Sequence, residues 1–244
     1  MARRFIVEDI DLKIENDIVN VVGKEVKHIN ILRHNVGDTI IINEYICEIL
    51  KIDKKEIVCK ILKKAEERGV PSTKITLFQS LLKSDKMDYV IQKAVEIGVS
   101  KIYPMESKNI VVKLDAKDKI KKCERYNKIS KEASKQCGRT DIVNVCDIIK
   151  FNENAEEILK SYDAVLFAYE AEEKSLKTAV NKIKEDKCKN IAIIIGPEGG
   201  FLEEEVEKFS KLPNVYTVSL GQRILRAETA SLNLLSILIY ELEL

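Results

Sequence analysis

Residues 191–204 read IAIIIGPEGGFLEE: a β-branched apolar run stops at Gly-Pro-Glu-Gly-Gly and the chain then turns acidic. Ile191 to Ile195 has the composition of a short buried strand, and Val206 and Phe209 beyond the loop stand at helical spacing. The segment therefore predicts strand, glycine loop, helix. In open α/β sheets, loops of this kind at the carboxyl end of a strand bind ligands. The usual ligand is a phosphate, held by free backbone N–H groups and the positive end of the helix dipole. Here the Lys-Ser/Thr pair of a P-loop and the GxGxxG spacing are both missing, and Glu198, Glu203, Glu204 and Glu205 would repel a phosphate. Two readings stand at this point. Either the loop takes a ligand without phosphates, better still one with positive charge, or Gly199 and Gly200 merely make a tight turn and the glutamates favour a helix start.

The second arrangement of this kind lies at 215–230, VYTVSLGQRILRAETA, where a β-branched strand ends at Leu220-Gly221 and a helix follows. Both glycine loops are delivered to the same sheet edge, with Arg223, Arg226 and Glu228 beside it. Leu225 also reads as core, and Glu228 also reads as a residue favouring the helix start. From Ile75 onward strands alternate with helices. Strands are predicted at Ile75–Ser80, Val99–Met105, Ile142–Val145, Ala164–Tyr169, Ile191–Ile195 and Val215–Leu220. The helix after the first strand carries Met87, Val90, Ile91, Ala94 and Val95 on one face, and a lysine-rich helix is predicted from about 117 to 136. Shorter helices are predicted around Ala155–Ser161, Leu176–Ile183 and Val206–Phe209, with a closing helix Thr229–Glu241. This is an α/β domain, 73–244, with a mostly parallel sheet.

The first part differs. Strands are predicted at Phe5–Glu8, Asp17–Val22, Thr39–Tyr45, Ile46–Ile52 and Glu56–Leu62, with a helix through Val26–Arg33 and turns at Gly37-Asp38 and Asp53-Lys54-Lys55. That is a small β-rich module, read as a barrel over 1–70. The boundary falls in KKAEERGVPST, 63–73, where periodicity is lost.

Composition narrows the function. The chain of 244 residues is 45% hydrophobic and 33% charged, enough for a sizeable core. MARRFIVEDIDL lacks the apolar core of a signal peptide, and the late apolar run at 234–240 is shorter than the roughly 20 residues of a membrane span, so a cytoplasmic protein is expected. The six cysteines include no CxxC pair and the only histidines are His28 and His34, which supports neither a disulfide framework nor a metal site. Catalysis must then rest on Arg, Glu, Lys and backbone groups. The net charge of +1 hides an asymmetry: 16 Lys+Arg against 8 Asp+Glu over 71–140, but 12 against 19 over 141–244. A basic middle suits a polyanion such as nucleic acid, and it equally describes a solvated helix face.

IIIGPEGGFLEEEV and LGQRILRAETASL resemble the two signature segments of the 16S ribosomal RNA uridine-N3 methyltransferases of the SPOUT superfamily. The resemblance extends to KMDYVIQKAVEIGV at 86–99, SKQCGRT at 134–140, FAYE at 167–170, RRFIV at 3–7 and HINILRHNVGD at 28–38, and so spans nearly the whole chain. Two departures stand out. Gln222 replaces the family's usual proline, and INEYICEI at 42–49 lacks the glycine typical of its β-turn.

The resemblance implies a PUA-like, RNA-binding β-barrel followed by a SPOUT domain whose chain is tied in a trefoil knot, a topology that general rules would exclude. It implies S-adenosylmethionine bound by the knotted loops at a homodimer interface, and a uridine of 16S ribosomal RNA as substrate, within the small subunit. Gly196, Pro197, Gly199, Gly200, Leu220, Gly221, Ile224, Leu225 and Arg226 would line the cofactor pocket, with Tyr169 and Glu170 closing one side. Arg226 would be catalytic, stabilising charge on the uracil carbonyl oxygens, unless it pairs with Glu228 or the acidic C-terminal region. Glu198 would accept a proton or orient the cofactor. Arg3, Arg4, Arg33, Gln136 and Arg139 would contact RNA, and Cys137 is read as packing. The alternatives are a SPOUT methyltransferase acting on another nucleotide, a nucleotide-dependent α/β enzyme, and an RNA-binding protein without catalysis.

Overall fold

The computed structural model describes residues 3–66, 68–170 and 172–243, and for Asp9 the backbone alone. The chain divides into two compact units, one formed by 1–69 with 135–140 and the other by 70–134 with 141–244. The recruitment of Lys135–Thr140 into the first unit is not visible in the sequence, where SKQCGRT reads as the end of the basic helix.

The first unit is a six-stranded sheet in the order β1-β4-β5-β6-β3-β2. Its strands are β1 (Arg4–Phe5), β2 (Leu12–Glu15), β3 (Ile18–Val22), β4 (Thr39–Ile42), β5 (Tyr45–Ile52) and β6 (Glu56–Lys64), with α1 (Lys24–Ile31) between β3 and β4. All neighbours are antiparallel except β1 and β4. Phe5, Val19, Val21, Ile29, Ile40, Ile42, Ile49 and Ile57 form its core. Strand β2, missed in the sequence, pairs with β3 through a turn in which Asn16 and Asp17 both take left-handed φ, 47° and 63°. The predicted strand Phe5–Glu8 is shorter than expected, since Asp9–Asp11 forms a 3-10 turn. At the β4–β5 turn Asn43 adopts φ 51°, which supplies the left-handed residue that a glycine would otherwise provide. Its side chain also accepts from the Val7 N–H at 2.7 Å and donates to the Val7 carbonyl at 3.0 Å. Both histidines lie edge-on to the buried Phe5 ring and beside carboxylates, His28 by Glu25 and His34 by Asp38.

The second unit holds a seven-stranded, wholly parallel sheet in the order β10-β8-β7-β12-β11-β13. These are β7 (Lys74–Ser80), β8 (Lys101–Glu106), β10 (Ile149–Lys150), β11 (Ala164–Ala168), β12 (Asn190–Ile195) and β13 (Val215–Val218); β9 (Asn144–Val145) pairs with β8 farther along the edge that β10 occupies. Alternation along each strand feeds two cores. Ile191, Ile193 and Ile195 of β12 face α2 (Lys86–Ile97), α3 (Ala116–Cys137), α5 (Leu176–Glu185) and α7 (Ala227–Glu243). Ala192 and Ile194 face α4 (Glu153–Leu159) and α6 (Glu203–Ser210), where Phe151 stacks on Phe209 with ring centroids 3.9 Å apart. Burial on both faces is the reason the strand reads as an unbroken apolar run. Among the described residues, no helix is long and apolar enough to cross a membrane.

Candidate functional site

Strands β12, β11 and β13 lie side by side, and their carboxyl ends, with the loops that follow, enclose a cavity of about 430 Å³. The walls are Ala168 to Glu170 after β11, Ile195 to Glu198 with Gly200 and Phe201 after β12, and Ser219 to Ala227 after β13, closed by Ala230 and by Lys86 at the start of α2. The strands that carry the two glycine loops are therefore not neighbours: β11 runs between them and adds the FAYE segment to the wall.

The GPEGG loop is built for close approach. A Cβ at Gly196 would come within 3.0 Å of the Phe201 ring, and one at Gly200, whose φ is +69°, within 2.5 Å of a Glu170 carboxylate oxygen. Neither position tolerates a side chain without rearrangement. Gly199 is absent from the cavity wall; its carbonyl accepts from the Asn109 side chain at 3.3 Å. Beneath the loop the buried Gln79 donates to the Gly196 carbonyl at 3.4 Å and accepts from Ser231 of α7, so a polar contact links the floor of the loop to the last helix.

The acidic residues divide into two groups. Glu204 pairs with Lys108, and Glu205, 4% exposed, accepts from the backbone N–H of Leu202 and of Lys108 at 3.0 Å each. These serve the helix start, and of the four glutamates expected to repel a phosphate only Glu198 lines the cavity, joined by Glu170. Burial alone would push the Glu198 carboxyl up, but hydrogen bonds from the backbone N–H groups of Lys83 and of Glu198 itself, with the Lys86 ammonium, hold it below its ordinary value.

Arg226 stands exposed on the wall and makes no ion pair among the described residues; Glu228, the partner weighed for it, pairs with Lys86 at 3.4 Å instead. Leu220, Gly221, Ile224 and Leu225 all line the cavity, Ile224 being 89% exposed while Leu225 packs partly on the core. Gln222 and Arg223 join them. Sequence reasoning missed Lys86, Phe201, Gln79 and Asn109. Lys86 opens the quoted stretch at 86–99, but nothing in its surroundings marks it as reaching a loop more than a hundred residues away.

Of the residues assigned to RNA, Arg3, Arg4, Arg33, Gln136 and Arg139 all belong to the first unit. Arg3, Arg33 and Gln136 are exposed. Arg4 donates to the Asn43 carbonyl at 2.8 Å, and Arg139 is 2% exposed, so its guanidinium is turned inward. Cys137, read as packing, is exposed. No group of three or more His, Cys, Asp or Glu among the described residues could hold a metal ion.

Fold and site together define an α/β protein with a glycine-cradled pocket at the carboxyl ends of a parallel sheet. The family described as "RNA methyltransferase domain" matches residues 55–239. The ribosomal RNA small subunit methyltransferase E of Bacillus subtilis (strain 168) is 35% identical, over 99% of this chain and 98% of the relative. The chain belongs to this family of RNA methyltransferases. The enzyme of the same name from Neisseria gonorrhoeae, in a crystal structure bound to S-adenosyl methionine, superposes with a TM-score of 0.82 at 26% identity, covering 98% of both chains. A Legionella pneumophila protein described as a methyltransferase, in complex with the bound cofactor SAM, gives 0.79 at 26% identity, again over 98% of both.

Proposed function

We propose that this chain uses S-adenosylmethionine to methylate N3 of a uridine in the 16S RNA of the small ribosomal subunit. The observation that carries the reading is the three-loop cavity: a glycine cradle against Phe201 and Glu170, with Glu170 and Glu198 in the wall and a GPEGG segment that lacks the Lys-Ser/Thr pair of a P-loop. Its volume of about 430 Å³ suits one compact ligand. S-adenosylmethionine meets these requirements, having no phosphate and a positively charged sulfur. Ile195, Gly196, Gly200, Leu220, Gly221 and Leu225 would hold it, chiefly through backbone groups and apolar contact. The two structures described with it bound each match 98% of this chain.

When bound, the cofactor supplies an electrophilic methyl group. The protein's work is alignment of the two reactants and activation of the nucleophile. Uridine N3 is protonated at neutral pH, so its proton must pass to solvent water as the methyl group is taken up, and it lies on the Watson–Crick edge, so the base must be unpaired or extruded. Arg226 would stabilise negative charge developing on the uracil oxygens, a role supported by its exposed position on the wall without an ion-pair partner among the described residues. Glu198 is already engaged by Lys83 and Lys86, which suits it to orient rather than to take a proton. In this reading the first unit is the PUA-like RNA-binding barrel, with Arg3, Arg33 and Gln136 at its surface, and the loops of the second unit form the trefoil knot. The working form is a cytoplasmic homodimer.

Calorimetric titration with S-adenosylmethionine tests the reading at its base. Saturable binding at one site per chain is expected. Binding of ATP or NAD instead, or no binding by the folded protein, contradicts it.

A further inference from the structure

We infer that Lys86 is a positioning residue that clamps the two glycine loops to each other across the cavity. Its ammonium lies 3.5 Å from Oε1 of Glu198 in the GPEGG loop and 3.4 Å from Oε1 of Glu228 in the first turn of α7. A single cation at the head of α2 thus ties the loop after β12 to the segment that carries Arg226. The grip is reinforced, since the Lys83 backbone N–H donates to the same Glu198 oxygen at 3.2 Å.

The two carboxylates are mostly shielded, with side-chain exposures of 22% for Glu198 and 16% for Glu228. The second oxygen of Glu228 is buried with no hydrogen-bond partner, so this side chain is held from its other oxygen by Lys86, at the positive end of α7. Without the ammonium, two like charges would face each other in a partly desolvated site, and the loops would separate to rehydrate them. With it, one ammonium offsets one of the two carboxylates and holds both loops in place. Lys86 itself need not touch the reacting atoms; it acts through Glu198 and Glu228. The geometry is independent of the ligand, whereas the consequence for cofactor affinity rests on the methyltransferase reading.

Amide hydrogen exchange of loops 196–201 and 221–228, with titration by S-adenosylmethionine, tests this on the wild-type chain, K86M, K86R, E228Q and K86M/E228Q. In K86M both loops are expected to exchange about tenfold faster and affinity to fall about tenfold, the size of coupling that a charge pair in contact can carry. Amides of β7 and β12 should be unchanged, K86R should restore protection, and the double variant should be no worse than K86M. Loops that exchange at the wild-type rate in K86M, or K86R as impaired as K86M, overturn the clamp. If the loops loosen in K86M while even the wild-type chain fails to bind S-adenosylmethionine, the clamp stands and the cofactor reading falls.

Discussion

In the proposed reaction Arg226 would act through its charge and Gly200 through the absence of a side chain. For R226A, methylation should slow about a hundredfold or more, the usual cost of removing one donor to a developing oxyanion, with cofactor affinity nearly unchanged. An unchanged single-turnover rate would remove Arg226 from the mechanism. For G200A, the new methyl meets the Glu170 carboxylate in a left-handed backbone. Strain of about 1–2 kcal/mol is expected, read as a lower midpoint in thermal melting together with weaker cofactor binding; wild-type values for both would show that the cradle is not tight. At this scale the sequence disclosed what was local. GPEGG, Leu220-Gly221 and Arg226 announce themselves by composition within a few residues. Lys86, Gln79 and Phe201 do not, because they join the site through contacts between distant segments, and a lysine or glutamine on an amphipathic pattern looks the same whether or not it meets one. The glutamates after the loop misled for the converse reason: an acidic first turn favours a helix start and a cationic ligand alike.

Among the elements, α6 depends on Glu205, whose carboxylate satisfies two backbone N–H groups while itself buried. E205A should cost about 1–3 kcal/mol in urea unfolding, since both donors lose their partner; a loss near zero would mean that water replaces the carboxylate. The strands and helices around the loops were legible because buried parallel strands and amphipathic helices write strong periodic signals. The elements that escaped, β2 and β10, are an edge strand and a two-residue strand. An edge strand such as Leu12–Glu15 alternates Leu-Lys-Ile-Glu over four residues alone, too short a run to stand out, three of them are exposed, and its turn at Asn16-Asp17 contains no glycine to signal the left-handed backbone.

Over the whole molecule, the pH response follows from carboxylates held below their ordinary range. Burial would raise the Glu25 and Glu243 carboxyls, but hydrogen bonds outweigh it: Glu25 is engaged by Lys135 and His28, and Glu243 by the backbone and side chains of Ser72 and Thr73. A carboxyl with a folded value below its unfolded one stabilises the fold above the unfolded value and loses that contribution as pH falls through the folded one. Stability should therefore hold at neutral pH and decline as pH drops below the ordinary carboxylate value of about 4.3, less steeply in E243Q. Equal acid sensitivity of E243Q and the wild-type chain would contradict this. The two-part organisation was readable in the loss of periodicity after Lys63, whereas the return of Lys135–Thr140 to the first unit was not, because it is a property of three-dimensional packing at the end of a continuous helix. The most direct measurement of the reaction itself is to incubate the purified protein and S-adenosylmethionine with small ribosomal subunits from cells lacking the enzyme, then digest the RNA to nucleosides for mass spectrometry. The expected result is 3-methyluridine, about one per 16S RNA and dependent on Arg226; a methyl group on any other nucleoside, or none, would contradict it.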